Sequence, residues 1–176
     1  LIFATQNQNK LAEIKDILRE SYEVIGLHDL KWITEIDEPY ATLEENAVHK
    51  AQTVYDELGI PCFAEDTGLE VTALDMKPGV YTARYAGPDK NDLNNMRLLL
   101  KNLHNKSDRS AQFRSVMAIY DGTAVVIQGI LKGQIATEPS GDHGFGYDPI
   151  FIPEGYDKTM AQLAPDVKNQ ISHRAR

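Results

Sequence analysis

The chain has 176 residues, which suits one α/β domain carrying an extra lobe and is enough to bury a real core. Apolar residues make up 42% and charged residues 25%, ordinary for a globular protein, and no apolar run approaches the roughly 18 residues of a membrane span. The net charge of −8, from 26 acidic and 18 basic residues, disfavours duplex nucleic acid as a partner and makes each lysine and arginine individually informative.

In chain order, "LIFAT" (1–5) reads as a short buried strand of branched and aromatic residues. "KLAEIKDILRE" (10–20) places Leu11, Ile14, Ile17 and Leu18 on one face of an amphipathic helix. "YEVIGL" (22–27) is a second strand. Thr42 followed by Glu45 forms a capping box, and the helix continues over 44–58 to a stop at Gly59. "PCFAE" (61–65) predicts a third strand, Thr67-Gly68 a turn, and "LEVTAL" (69–74) a fourth strand. A helix follows over 92–103, then two antiparallel strands, 111–121 and 124–137, around a turn at Asp121-Gly122. The rest is rich in Gly, Pro and Asp until a helical start near Lys168. Strand and helix alternate early and strands dominate later, which suggests a mixed sheet with helices around it. Cys62, the one cysteine, sits in an apolar strand and reads as a buried structural thiol; a reducing cytoplasm is the expected compartment.

Four segments carry groups capable of chemistry. "ATQNQNK" (4–10) joins the first strand to the first helix, so Thr5, Asn7 and Asn9 either cap that helix or, with Lys10, seat a phosphate at its N-terminus. Glu65-Asp66, with Glu38 upstream, offers carboxylates that suit Mg²⁺ and an activated water, or simply a solvated acidic turn. "GFGYDP" (144–149) sets Phe145 between two glycines, as a ring that stacks on a base or plugs the core. "KNQISHRAR" (168–176) gathers Lys168, Ser172, His173 and Arg174, a donor set or a solvated basic tail.

Taken together and in order, these segments resemble the inosine triphosphate pyrophosphatase family, the non-canonical purine nucleoside triphosphate pyrophosphatases also called the Ham1 family. The resemblance rests on Thr5-x-Asn7-x-x-Lys10, on Glu38 four residues before Thr42, and on Glu45-Asn46-Ala47-x-x-Lys50-Ala51. It continues through the run 63–69 (FAEDTGL), the run 78–87 (PGVYTARYAG), the run 144–149 and Ser172-His173-Arg174, and so spans almost the whole chain.

The resemblance implies one domain over 1–176: an elongated, twisted mixed sheet flanked by helices, with two lobes around a central cleft. It implies a homodimer; the acidic charge and the lack of a long apolar run make no nucleic acid and no membrane the expectation for further partners. The implied reaction cleaves ITP, dITP or XTP between the α and β phosphates, giving monophosphate and pyrophosphate. By the same resemblance Thr5, Gln6, Asn7, Gln8, Asn9 and Lys10 cradle the triphosphate with Lys50. Glu38 and Asp66 hold Mg²⁺, Asp66 accepts the proton of the attacking water, and Glu65 supports that pair. Thr67 touches phosphate or sugar. Phe145 stacks on the purine, with Gly146, Tyr147 and Asp148 completing the wall, and Lys168, His173 and Arg174 face the base edge. Ser172 and Arg84 are supporting residues. A phosphorylated receiver module also gathers carboxylates and a lysine, but its regular strand–helix alternation is absent here. The sequence departs from the family pattern at Gln6 and Tyr40, where glycine is usual, and at Gln162, where glutamate is usual. It also ends at Arg176, before an expected terminal helix.

Overall fold

The computed structural model describes residues 1–176. Seven strands form one sheet in the order β2-β1-β3-β5-β6-β7, with β4 pairing β3. The strands are β1 (Ile2–Phe3), β2 (Ile25–Gly26), β3 (Cys62–Val71), β4 (Lys77–Gly79), β5 (Ser110–Tyr120), β6 (Ala124–Ile135) and β7 (Phe151–Pro153). The helices are α1 (Gln8–Leu18), α2 (Leu43–Leu58), α3 (Asp92–Asn102) and α4 (Pro165–Ile171). β1 runs parallel to both β2 and β3, whereas β4 is antiparallel to β3 and β7 to β6, so the sheet is mixed as expected.

The chain packs as two compact units. One comprises Leu1–Asp66, Ser115–Gly129 and Ala175; the other comprises Thr67–Arg114, Ile130–Arg174 and Arg176. In the first, α1 buries Leu11 and Ile14 against Phe3, Val24 and Phe63, and the Phe3 and Phe63 rings stack with centroids 4.6 Å apart. In the second, Leu69, Val71, Phe113, Leu131 and Ile135 of the strands pack with Met96, Leu99 and Leu103 from α3 and its C-terminal end.

α2 begins where the capping signal places it. Thr42 Oγ1 accepts the Glu45 N–H at 3.2 Å and donates to the Glu45 carboxylate at 2.7 Å. Glu44 and Glu45 in the first turn suit the positive end of the helix dipole. The helix ends at Gly59, whose left-handed φ of 66° lets its N–H reach Tyr55 O. Its buried stripe is Leu43, Asn46, Ala47, Lys50, Ala51 and Val54. Asn46 and Lys50 are thus polar residues, one turn apart, on an otherwise apolar face.

One expected feature is absent. Thr67-Gly68 is not a turn, and 61–65 and 69–74 are not separate strands: β3 runs unbroken through ten residues. The strand lies inside the sheet between β1 and β5, and nine of its ten residues are buried, so pairing on both edges overrides the local turn preference of Thr-Gly. Residues 72–74 form a short 3₁₀ turn, not strand. α1 starts at Gln8, two residues earlier than its apolar pattern, because Asn7 is the cap.

Two departures from the family pattern keep a structural role. Gln6 Nε2 donates to Thr34 O at 3.0 Å. Gln162 Oε1 accepts the Thr159 N–H at 3.0 Å, a cap contact that either an amide or a carboxylate can make. Cys62 is buried, its thiol donates to Ala51 O at 3.2 Å, and burial pushes its pKa up to about 11, as suits an inert structural thiol.

Candidate active site

Successive side chains of an extended strand leave on opposite faces, so Glu65 and Asp66 in β3 turn to different partners. Glu65 turns to Ser115 of β5, whose Oγ donates to its Oε1 at 2.8 Å, and to Lys10, whose Nζ lies 3.3 Å from its Oε2. Asp66 turns to α2. Lys50 Nζ donates to Asp66 Oδ1 at 3.1 Å and to Glu38 Oε1 at 2.6 Å. Asn46 Nδ2 reaches Asp66 Oδ2 at 3.4 Å.

This first-unit cluster is mostly buried: Lys50, Glu65, Asp66, Asn46 and Ser115 are all largely inaccessible, whereas Glu38 is partly exposed. Burial pushes the Asp66 pKa up, and the nearby Glu38 charge adds to that. Lys50 and Lys10 pull it down without cancelling the rise, so the carboxyl sits above its ordinary value. Burial alone would lower the Lys50 pKa, but the charges of Asp66 and Glu38 together outweigh it and hold the ammonium above its usual value.

The loop ahead of α1 is organised by its own side chains. Thr5 Oγ1 accepts the Asn7 N–H at 3.2 Å, and Asn7 Oδ1 accepts the N–H groups of Asn9 and Lys10 at 3.0 and 3.1 Å. These backbone donors are therefore used in capping. The side chains of Gln6, Gln8 and Asn9 are exposed, and that of Lys10 is partly so.

In the second unit two cations lie near the Phe145 ring: Lys168 Nζ is 5.1 Å and the Arg174 guanidinium 5.5 Å from its centroid. Asp148 Oδ2 accepts the Phe145 N–H at 2.9 Å and pairs with Lys168 Nζ. Gly144, at φ 77°, passes so close to the Asp148 carboxylate that a Cβ there would overlap it. Asp92, at the start of α3, accepts the Gly146 N–H at 3.0 Å. Tyr147 faces inward and donates to Thr82 O at 2.9 Å, and burial raises its pKa, so its hydroxyl is committed to the core. His173 stacks on Phe113 with centroids 4.8 Å apart, and Arg174 Nη2 donates to Thr67 Oγ1 at 3.4 Å. Ser172 is buried, and Arg84 lies over the Tyr81 ring.

The structure thus brings Glu38, Lys50 and Asp66 together, Lys10 with Glu65, and Phe145 with Asp148, Lys168 and Arg174. Sequence reasoning gave no role to Asn46, Ser115 or Asp92. Asn46 was detectable as a polar residue on the apolar stripe of α2. Ser115 and Asp92 carry no local signal, because their partners come from distant strands and loops.

The fit of Mg²⁺ can be judged from Lys50: one ammonium nitrogen lies within hydrogen-bond distance of both Glu38 and Asp66, so the two carboxylates converge on a single cation position. Two carboxylates are hard oxygen donors of the kind Mg²⁺ takes, since that ion keeps waters and substrate phosphates as further ligands; no group of three or more His, Cys, Asp or Glu side chains is placed to hold a metal by itself.

The Ham1 family model matches residues 1–176. A dITP/XTP pyrophosphatase of Flavobacterium johnsoniae is 48% identical over the whole chain and 92% of its own length. The solved Staphylococcus aureus Ham1 protein superposes with a TM-score of 0.87 at 43% identity, covering 98% of this chain and 91% of that one. A Ham1 protein from Coxiella burnetii gives a TM-score of 0.88 at 39% identity with the same coverage. A match that runs from the first residue to the last, at these identities, makes the chain a member of the Ham1 family.

Proposed function

We propose that this protein hydrolyses non-canonical purine nucleoside triphosphates, ITP, dITP and XTP, to the monophosphate and pyrophosphate, with Mg²⁺ as cofactor. The observation that carries the reading is the convergence of Glu38 and Asp66 on one cation position beside a buried lysine. The F. johnsoniae relative, named a dITP/XTP pyrophosphatase, supports it.

In this reading Glu38 and Asp66 hold the metal, which supplies charge neutralisation for the phosphates and lowers the pKa of a bound water. Asp66 takes the proton of the attacking water. Lys50 and Lys10 place positive charge against the phosphates, together with Thr5, Gln6, Asn7, Gln8 and Asn9. Glu65, held by Ser115, orients Lys10. Thr67 contacts phosphate or sugar. Phe145 stacks on the purine, and the two cations at its ring fix the plane on which a base lies. Gly146 and Asp148 shape that wall, and Tyr147 braces it from within. Lys168, His173 and Arg174 donate to the 6-oxo oxygen of hypoxanthine or xanthine. Adenine carries an amino group there, and each buried donor left unpaired costs about 1–3 kcal/mol, roughly 10- to 150-fold.

Pyrophosphate release from a panel of ITP, XTP, ATP, dUTP and a methylated TTP, with and without EDTA, tests the proposal. Release confined to ITP and XTP and abolished by EDTA is expected; equal turnover of ATP, or activity in EDTA, overturns it. Arg174→Ala should narrow the ratio of kcat/KM for ITP over ATP about tenfold or more, and an unchanged ratio removes Arg174 from base readout. The reading includes a homodimer and a cytoplasmic location. Sedimentation velocity at micromolar protein checks the first, and cell fractionation the second. No helix is long and apolar enough to cross a membrane.

A further inference from the structure

We infer that Asn46 is a positioning residue for the metal-binding carboxylates: it pins the segment bearing Glu38 against Asp66 and thereby sets their affinity for a divalent cation. The inference rests on the reading of Glu38 and Asp66 as metal ligands.

Asn46 is fully buried on the apolar stripe of α2, where an alanine would pack at lower cost. A buried amide is tolerated when its donors and acceptor are used, and here they are. Its Oδ1 accepts the Tyr40 N–H at 3.0 Å and its Nδ2 donates to Tyr40 O at 3.2 Å. The same Nδ2 reaches Asp66 Oδ2 at 3.4 Å. The paired bonds to Tyr40 act as one rung of a ladder for a segment, 35–40, that belongs to no helix or strand. Glu38 is two residues before Tyr40, with Pro39 between them. Proline fixes its own φ, so anchoring Tyr40 restricts where the Glu38 carboxylate can reach.

Lys50, one turn further along the same face, bonds Glu38 and the other oxygen of Asp66. Lys50 can move to other anions, whereas Asn46 is neutral, short and already inside, so it holds the spacing in either case. Mg²⁺ tolerates little departure from octahedral geometry, and partners that orient metal ligands typically matter 10- to 100-fold in affinity.

Mn²⁺, as a spectroscopic substitute for Mg²⁺, is titrated into the substrate-free protein by electron paramagnetic resonance. Asn46→Ala and Asn46→Ser should bind it about 10-fold or more weakly than wild type, and should regain ITP turnover at raised Mg²⁺ with KM for ITP little changed. Affinity within twofold of wild type in both variants overturns the positioning role alone. A wild-type protein that binds no Mn²⁺ overturns the metal reading and this inference with it. Should neither variant fold, hydrogen exchange in the wild type decides. The Tyr40 amide is expected to exchange about 100-fold slower than an open peptide, and slower again with Mg²⁺ present, because coupling between tether and metal is reciprocal. Exchange at the open-peptide rate, or no response to Mg²⁺, overturns the inference.

Discussion

Asp66→Asn is expected to lower pyrophosphate release from ITP by about 10³-fold or more while the metal-free protein unfolds at the same temperature as wild type or higher. Under the proposed function the kinetic loss combines that of a proton acceptor, typically worth 10²–10⁴-fold, with that of a metal ligand. The stability half follows from burial. The Asp66 carboxyl is held above its ordinary pKa, so the folded protein binds that proton more tightly than the unfolded chain does. The charge therefore opposes folding at neutral pH. That opposition fades as pH falls from the raised folded pKa towards the unfolded value near 4, and an amide removes it at every pH. Lys50 keeps its 2.6 Å partner Glu38 in the variant, and the amide oxygen can still accept from it. Turnover within tenfold of wild type would show that Asp66 is not the base. A sharply lowered unfolding temperature would show that the buried charge is stabilising after all.

The second large effect is on stability. Lys50→Met keeps the apolar stem but removes the one cation bonded to both Glu38 and Asp66. Removing one partner of a buried ion pair costs about 3–5 kcal/mol, and the partial exposure of Glu38 places this case near the lower end. At about 2–4 °C per kcal/mol for a chain of this size, the metal-free variant should unfold roughly 10 °C below wild type. The Lys50 pKa is raised in the fold, so its contribution is complete below the unfolded value near 10.4 and is lost only as pH climbs through the higher folded value. The gap between variant and wild type should accordingly hold constant from about pH 7 to 9 and close in stronger alkali. Thermal unfolding followed by circular dichroism in EDTA measures it; a deficit under about 2 °C would mean the carboxylates do not depend on Lys50. Added Mg²⁺ should recover part of the deficit.

The helices were legible because their signals are local. The spacing of Leu11, Ile14, Ile17 and Leu18, the Thr42 cap and the Gly59 stop each act within one or two turns. The strands were less so. β3 reads as two pieces because Thr67-Gly68 resembles a turn, and its strand neighbours, β1, β4 and β5, keep it extended. β7 is three residues long and exists through its pairing with Gly133–Ile135, which no local pattern announces. Site residues divide in the same way. Glu38, Asp66, Lys50 and the 145–148 and 168–174 segments were named from the order of motifs along the chain. Ser115 was not, and Asn46 was named in a motif without a role, because what they do depends on which strand or loop meets them. The inward turn of Tyr147 is a further case: its ring reads as a ligand wall from sequence, but its hydroxyl is claimed by Thr82 O.

The opposed directions of Glu65 and Asp66 make residue parity a requirement of the proposed site. Inserting one residue within β3 ahead of them would bring the longer acid to Lys50, and deleting one would bring the shorter acid to Ser115; in either case the second acid would face the right side but lie two residues along the strand from the other's partner. Composition, net charge and the motif letters would survive such a change almost intact, but neither acid would keep its own lysine. Two-residue changes preserve the assignment of faces, so odd and even length variants of this strand should differ in kind, not in degree.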